Sequence, residues 1–522
     1  MSFDIHPGSI TTQRKSAQHS PAKRAQARAA ARPFVWHGGG HAKPINTVRP
    51  ANTAGLPPVS LPIVSGLLRA WDVVSVLGAG LAAYLLAAPD LPMAQSYYVA
   101  LAFFGALAAG NALHLAGAYR LDGGNRGQFA WSNLLIAWAG SSVAMALAVV
   151  ATGAALEQNW TWLALWFILG LFLPLLARGI LAIRMDYWHK AGRLRRRVAV
   201  LGAGPGGQML LRRLGGLRSD RDVAIIGLYD DRSGPPPAGW RGHSVRGNCG
   251  DLLEDIRQGL VDMVVVAAEA DDPGVDAMLA KLRCVAVDIY LCSPSHHMPR
   301  LGGVEMIGNV PLVVVERRPL RDWSGVVKAV EDRVFAALIL LLIAPVLALI
   351  ALAIKLDSPG PVIFRQKRYG QNNQLIEVFK FRSMYAHATD PNATKLATRN
   401  DPRVTRVGAF LRRTSLDELP QFVNVLRGEM SVVGPRPHAL LCTAGGMLYQ
   451  EAVRNYDWRH RIKPGITGWA QINGWRGETV TVEQIQKRVE HDIYYIENWS
   501  LLLDVKIIVR TIFGGFTGSK AY

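Results

Sequence analysis

The chain has little cysteine. Four residues among 522, Cys249, Cys284, Cys292 and Cys442, show no C-x-x-C spacing and no histidines set beside them as co-ligands. That excludes a zinc ribbon or a disulfide framework and fits a reducing compartment. Acid is scarce as well: 39 Asp and Glu stand against 58 Lys and Arg, a formal net charge of +19. Such a balance calls for an anionic partner, and composition by itself leaves open nucleic acid, an anionic lipid surface or a phosphate-rich substrate. None of the 14 tyrosines is followed by lysine four positions later, so the Tyr-x-x-x-Lys pair that a nucleotide-sugar dehydratase or epimerase needs is missing. No apolar run comes early enough for a usual secretory signal. Residues 1–60, rich in Arg, Lys, Ala, Pro and Ser, read as a disordered basic tail.

What is present in quantity is hydrophobic residue, 50% of the chain, concentrated in residues 63–184 and again in 334–354. The length suggests three or four units rather than one core. Four apolar stretches, 63–88, 97–119, 131–154 and 160–184, each approach the ~20 residues needed to span hydrocarbon. The first and third loops between them carry no Lys or Arg, whereas the second holds Arg120 and Arg126, and Arg184, Lys190, Arg193, Arg195, Arg196 and Arg197 follow the fourth. The positive-inside rule then places the tail and everything after residue 184 on the cytoplasmic side. With membrane segments present, lipid and phosphate are the expected partners, and nucleic acid is not. Arg69 and Asp72 in the first span are three residues apart, the spacing of an ion pair along one helix face, with a snorkelling Arg69 or a function inside the membrane as the other readings.

Beyond the spans, short β-rich runs alternate with helical ones: RRVAVLGAG at 195–204, VAIIGLYDD at 223–231, VDMVVVAAE at 261–269 and VAVDIYL at 285–291. This is the pattern of a parallel, Rossmann-like α/β domain. Its first turn supplies Gly202, Gly204 and Gly207 in G-x-G-x-x-G spacing, and Asp230 or Asp231 closes the second strand where a ribose-binding acid would stand. Two readings stay open, a nucleotide site or glycines that merely permit a tight strand-to-helix turn. The domain's role is equally open among nucleotide binding, holding a homo-dimer together and filling space.

The second apolar run, Val334 to Ile354, is long enough to cross a bilayer but carries Pro345 near its middle. Both flanks are basic, with Arg317, Arg318, Arg321, Lys328 and Arg333 before it and Lys355, Arg365, Lys367, Arg368, Lys380 and Arg382 after it. A straight crossing would put one cluster on the wrong side, so a re-entrant helix broken at Pro345 is expected, with a kinked through-span as the alternative.

After Asp357, cationic segments alternate with Gly/Pro-rich ones. The adjacent acids Asp417 and Glu418 lie in this cationic stretch, with Arg412 and Arg413 just before them. Ser415 and Glu418 have the spacing of a capping box at a helix start. A helix N-terminus flanked by arginines is an anion site that can hold a phosphate. A carboxylate pair placed there can hold a divalent cation or attack phosphorus. Read singly, the same residues are explained by a capped helix, although Pro420 fits that poorly. In GPRP, Pro435 and Pro437 are either ordinary turn formers or hold Arg436 rigidly as a phosphate or uracil contact.

From Asp332 to about Gly514 the motifs KLDSPGPVIFRQKRYG, FKFRSM, SLDELPQ, VVGPRP and KPGITGWAQINGWRGET follow one another. In that order they resemble the bacterial sugar transferase family, the monotopic phosphoglycosyl transferases. The whole chain resembles its large members, the undecaprenyl-phosphate glucose phosphotransferases. The resemblance implies a UDP-sugar donor, undecaprenyl phosphate as acceptor, Mg2+ as cofactor held by Asp417 and Glu418, and transfer of a hexose 1-phosphate with release of UMP. Glucose is favoured by the resemblance to the large members, with galactose or an N-acetylated sugar as the alternative, in the first membrane step of exopolysaccharide or capsule synthesis. It makes Asp417 the nucleophile and Glu418 a metal partner or proton acceptor. Arg412 and Arg436 would then balance phosphate charge, with Lys380 and Arg382 lining the site. One departure is Ala344 before Pro345, where some members carry serine. The expected architecture is an α/β membrane protein of the bacterial inner membrane: a four-helix transmembrane bundle over 61–186, a Rossmann-like α/β cytoplasmic domain over 195–315, and a mainly α catalytic domain over 326–522 with its re-entrant helix at 332–355.

Overall fold

The computed structural model describes residues 58–87, 93–121, 131–153, 156–215, 223–231, 245–268, 273–292, 303–307, 310–388, 401–440, 442–477 and 481–514. All of them belong to one compact unit, Thr53–Tyr522. The expected tail, save its last three residues, and Arg126 in the second loop lie outside the described residues.

Four apolar helices come first: α1 (Leu61–Ala87), α2 (Gln95–Leu115), α3 (Trp131–Ala151) and α4 (Leu156–Lys190). They pack around Val76, Ala79, Ala83, Tyr98, Ala102, Met145, Trp162 and Trp166. Small residues set the approach: a Cβ on Gly80 would come within 2.6 Å of Ala102 Cβ, and one on Gly170 within 2.5 Å of the Trp138 ring. Backbones that close leave room for large rings, and Trp138 stacks on Trp166 at 4.9 Å. The expected Arg69–Asp72 pair is corrected here. Arg69 is exposed, while Asp72 is buried and takes two hydrogen bonds from Arg178 of α4, at 3.0 and 2.9 Å. A carboxylate taken out of water needs a cation that is buried with it, and only a residue on another helix can meet that demand in the bundle core.

The α/β domain has β1 (Arg196–Leu201), α5 (Pro205–Gly215), β2 (Val223–Tyr229), β3 (Val245–Gly247), α6 (Cys249–Arg257), β4 (Met263–Val266), α7 (Pro273–Leu282), β5 (Asp288–Leu291), β6 (Val304–Ile307) and β7 (Val310–Glu316). They form one seven-stranded sheet in the order β3-β2-β1-β4-β5-β7-β6. The first five strands are parallel, as a Rossmann-like domain requires, and β6 and β7 add an antiparallel edge that the sequence pattern did not suggest. Valine-rich β1 and β4 are buried on both faces because helices cover both sides.

The C-terminal block, expected to be catalytic, opens with α8 (Asp322–Asp357), 36 residues with Pro345 inside. Its first part joins the block's core: Ala336 packs with Val378, Val425 and Val432, and Asp332 accepts from Ser431 Oγ and Val432 N. Its last part, Ile350 and Ile354, packs on Phe381 and Leu411 of the same block. Between them Leu338, Leu341, Leu342, Val346 and Leu349 are exposed. There follow the antiparallel strands β8 (Ile363–Tyr369) and β9 (Leu375–Phe381), then α9 (Arg406–Thr414), α10 (Gln421–Arg427) and β10 (Ser431–Val433). Strand β11 (Gly465–Thr467) pairs with β10, and the last long helices are α11 (Val482–Glu497) and α12 (Leu501–Gly514). The block is therefore mainly helical, as expected, with one antiparallel hairpin and short strands added.

Candidate active site

Asp417 and Glu418 lie on a tight turn between two helices. Thr405 caps α9, its Oγ1 accepting from Gly408 N at 2.9 Å. Gly408 lets α9 press onto the segment after β9, since a Cβ there would sit 2.0 Å from Ser383 O. The helix ends at Ser415, in the left-handed conformation with φ 59°. One 3-10 turn, Leu416–Glu418, and Pro420 then lead into α10. This corrects the capping box: Ser415 ends a helix and makes no side-chain cap. The misread has a physical reason, because Pro420 cannot donate to a helix begun at Ser415, so the next helix starts only at Gln421. Ser415 Oγ instead accepts from Arg476 Nη2 at 2.8 Å, which ties the turn to the GWRGET segment.

The two carboxylates are treated differently. Glu418 takes Lys380 Nζ on Oε1 at 2.8 Å and a two-point clamp from Arg436, at 2.9 Å on Oε2 and 2.5 Å on Oε1. Burial alone would raise its pKa, but Arg436 and Lys380 outweigh burial and hold Glu418 well below the usual carboxylate range. Asp417 makes no hydrogen bond or ion pair among the described residues. Burial pushes its carboxyl up, opposed chiefly by Lys380, while the Glu418 charge adds to the rise. Burial lowers Lys380 against the pull of Glu418, and the same carboxylate raises Arg436. The result is one acid locked as a fixed charge and a second left free beside it. Arg412 contributes to the potential at Asp417 from the last turn of α9.

The arginine clamp is held from behind. The loop Gly434–Pro437 is pinned by Gly434 N to Thr467 O at 2.8 Å and by Gly465 N to Pro435 O at 2.9 Å. Only glycine allows that passage, since a Cβ on Gly465 would meet Gly434 N at 2.1 Å. Arg368 of β8 donates to Pro437 O, and Arg459 Nη2 donates to Arg436 O at 2.7 Å. Arg459 is fully buried, paired with Asp492 at 2.7 Å and bonded to His438 Nδ1 at 2.7 Å. Burial and the neighbouring Arg459 and Arg488 push His438 well below its usual range, so it is a neutral member of this network. Arg368, His438, Arg459, Arg476 and Asp492 were not legible beforehand, because their partners lie 21 to 69 residues away.

Of the predicted residues, Lys380, Asp417, Glu418 and Arg436 come together, framed by Pro435 and Pro437. Arg382 does not join them. Its guanidinium turns to the end of α8, donating to Ser358 O at 2.7 Å, Ser358 Oγ at 3.0 Å and Pro359 O at 2.9 Å. There it satisfies carbonyls left open at a helix C-terminus. Pro345 sits in the exposed middle of α8. Gly202, Gly204, Gly207 and Asp230 gather at a separate place, at the ends of β1 and β2. Asp230 Oδ2 accepts from Ala203 N at 2.8 Å, and Gly207 passes so close that a Cβ would meet Gly202 O at 2.1 Å. These contacts set the strand-to-helix turn itself.

Magnesium was expected on both acids. Mg2+ is commonly held by one or two carboxylates together with substrate phosphate oxygens. Glu418 has both oxygens engaged by cations, which leaves Asp417 as the open carboxylate, and no group of three or more His, Cys, Asp or Glu suited to a metal occurs among the described residues. Among the described residues the site thus fits an ion brought in with a diphosphate better than one held by protein ligands alone.

Residues 323–518 match the family described as bacterial sugar transferase, and residues 114–293 match a CoA-binding domain. The chain is 44% identical over 365 residues to the UDP-glucose:undecaprenyl-phosphate glucose-1-phosphate transferase of Escherichia coli K12, covering 69% of this chain and 76% of the relative. It is 33% identical over 463 residues to the protein of the same name from Xanthomonas campestris, covering 85% and 92%. A UDP-N-acetylgalactosamine-undecaprenyl-phosphate N-acetylgalactosaminephosphotransferase of Aeromonas hydrophila is 40% identical over 193 residues, covering 36% of this chain and 44% of that one. Matching such relatives over 76% and 92% of their lengths, the chain belongs to the bacterial sugar transferase family.

Proposed function

We propose that the protein transfers glucose 1-phosphate from UDP-glucose to undecaprenyl phosphate and releases UMP. The observation that carries the reaction is the division of labour between Asp417, free, and Glu418, fixed by Lys380 and Arg436. Asp417 Oδ attacks the β-phosphorus of the donor, the bond from that phosphorus to the UMP oxygen breaks, and UMP leaves with the electron pair. A phosphate oxygen of the lipid then attacks the same phosphorus and expels Asp417, which is restored. Lys380, Arg436 and Arg412 surround the reacting phosphoryl group with positive charge, and Glu418 keeps the first two in place. Mg2+, when bound, would neutralise diphosphate charge, with Asp417 as its open protein ligand. Glucose as the sugar follows from the names of the relatives that match along most of the chain.

The membrane arrangement supports this reading. Among the described residues, five helices, α1 to α4 and α8, are long and apolar enough to cross a membrane. In α8 the two ends pack on one and the same block while the apolar middle is exposed. A straight helix from Ala336 to Ile354 would span roughly 27 Å at 1.5 Å per residue, yet residues at both ends share core clusters with residues of the one strand β9, Val378 and Phe381. We therefore read α8 as re-entrant, turned at Pro345, with the block on the cytoplasmic face. Helix α12 buries Asp504 and Ile507 and leaves Leu502, Val509, Ile512 and Phe513 exposed, an outward apolar face suited to the bilayer interface where a polyprenyl phosphate keeps its head.

Asp417→Asn is expected to abolish UMP release from UDP-glucose in membranes supplied with undecaprenyl phosphate, while the protein stays folded. Undiminished turnover in that variant would sink the assignment of the nucleophile.

A further inference from the structure

The reaction chemistry leaves the α/β domain without a task. Its contacts with the catalytic block point to one. The hairpin β8–β9 closes through Gln371–Gln374, with Gln374 N bonded to Gln371 O at 3.1 Å and both Asn372 and Asn373 in the left-handed conformation, φ 55° and 59°. Asparagine is among the few side-chain-bearing residues that accept this backbone readily.

The tip of this hairpin is held by the α/β domain. Asn372 Oδ1 accepts from Ala286 N at 2.8 Å, and Asn372 O accepts from Arg257 Nε at 3.1 Å. Gln374 Nε2 donates to Arg257 O at 2.6 Å. Ala286 leads into β5 and Arg257 ends α6, so the turn is docked against the rigid frame of the sheet.

From the tip, two routes of direct contact reach the active-site arginine. Along β8, Arg368 lies four residues from Asn372 and donates to Pro437 O. Beside the tip, Gln371 Nε2 donates to Arg461 O at 3.1 Å, and Arg459, two residues earlier, donates to Arg436 O. Arg461 is itself tied to the α/β domain through Glu316 Oε1 at 2.8 Å and Arg317 O at 3.0 Å. The other strand of the hairpin carries Lys380 to Glu418. Two groups that set the charge around Asp417, Lys380 and Arg436, thus trace back to one docked turn.

We propose that the α/β domain is a positioning element for phosphoryl transfer: by gripping Asn372 it fixes the β8–β9 hairpin, and with it Arg368 and the loop that presents Arg436 to Glu418. Asn372 is a positioning residue, acting through Arg368 and the Pro437 carbonyl. Rigid placement matters because misplacing a reacting or stabilising group by about 1 Å can cost on the order of 100-fold in rate.

The inference rests on the transferase reading above, and the test separates the two. In full-length protein, Asn372→Gly keeps the left-handed turn and removes the acceptor for Ala286 N, whereas Asn372→Asp keeps an acceptor. With UMP release as readout, Asn372→Gly is expected to lower kcat about fivefold to twentyfold with KM for UDP-glucose changed by less than about twofold. Asn372→Asp should stay within about twofold of the parent in kcat. In an Arg368→Gln background the cost of Asn372→Gly should shrink to about twofold or less, the sign of a shared route. An unchanged kcat in Asn372→Gly, an equal loss in Asn372→Asp, or a full additive loss in the Arg368→Gln background would each overturn the proposal. A parent protein that releases no UMP would overturn the reaction assignment instead.

Discussion

At the scale of single residues, the adjacency of Asp417 and Glu418 conceals two different jobs, and their surroundings separate them. Lys380 is the first of the charges that favour ionised Asp417 against burial. Removing that charge in Lys380→Gln makes ionised Asp417 less favourable, so its pKa rises further above the ordinary carboxylate range. Activity that needs the ionised form is then lost earlier on acidification. The acid limb of kcat/KM should move to higher pH, and kcat/KM near neutrality should fall by about tenfold to a hundredfold. A pH–rate profile in which the acid limb stays where it was would show that Lys380 does not tune Asp417. The dyad was legible because two acids stand together in a cationic stretch and the surrounding motifs keep their order. The fate of Arg382 was not, since a cation that caps the end of α8 looks the same in sequence as one that meets a phosphate.

At the scale of elements, the β-rich runs and the apolar stretches announced themselves through composition, and the observed strands and helices fall within a few residues of them. What the pattern could not carry was the turn chemistry around the dyad. Ser415 has the spacing of a cap, but the preceding residues Arg406–Thr414 already form a helix capped at Thr405, and Ser415 closes it. Local spacing cannot tell a start from a stop when both lie within one turn. Helix α8 raises the reverse problem, a continuous apolar run whose two ends share one packing partner. Single cysteines introduced at Arg333 and at Leu356, in a Cys442→Ser background, should both react with a membrane-impermeant maleimide only from the cytoplasmic side. The remaining native cysteines, Cys249, Cys284 and Cys292, are buried and should give little background. Labelling of one flank from outside would establish a through-span and overturn the re-entrant reading.

At the scale of the whole molecule, the bundle of α1–α4 meets the catalytic block at one end. Ser60 Oγ donates to Asp322 Oδ1 at 2.6 Å and Trp323 Nε1 to Pro62 O at 3.0 Å. Gly66 leaves space for the Trp323 ring, which a Cβ there would meet at 2.6 Å. These contacts anchor the start of α8 beside the start of α1 without sending any side chain toward Asp417. The bundle is then expected to act as a platform, with its buried pair Asp72–Arg178 serving packing. Breaking that pair with Arg178→Met strands a carboxylate in the core and should destabilise the protein by about 3–5 kcal/mol. Unfolding in detergent, followed by temperature, would show it. Removing both charges together, Asp72→Leu with Arg178→Met, leaves no buried ion without its partner, so stability should largely return. In membranes the double variant should release UMP at close to the parent rate, because neither residue reaches the dyad. A double variant that recovers its stability yet loses turnover would assign the membrane pair a part in the reaction and refute the view of the bundle as a platform.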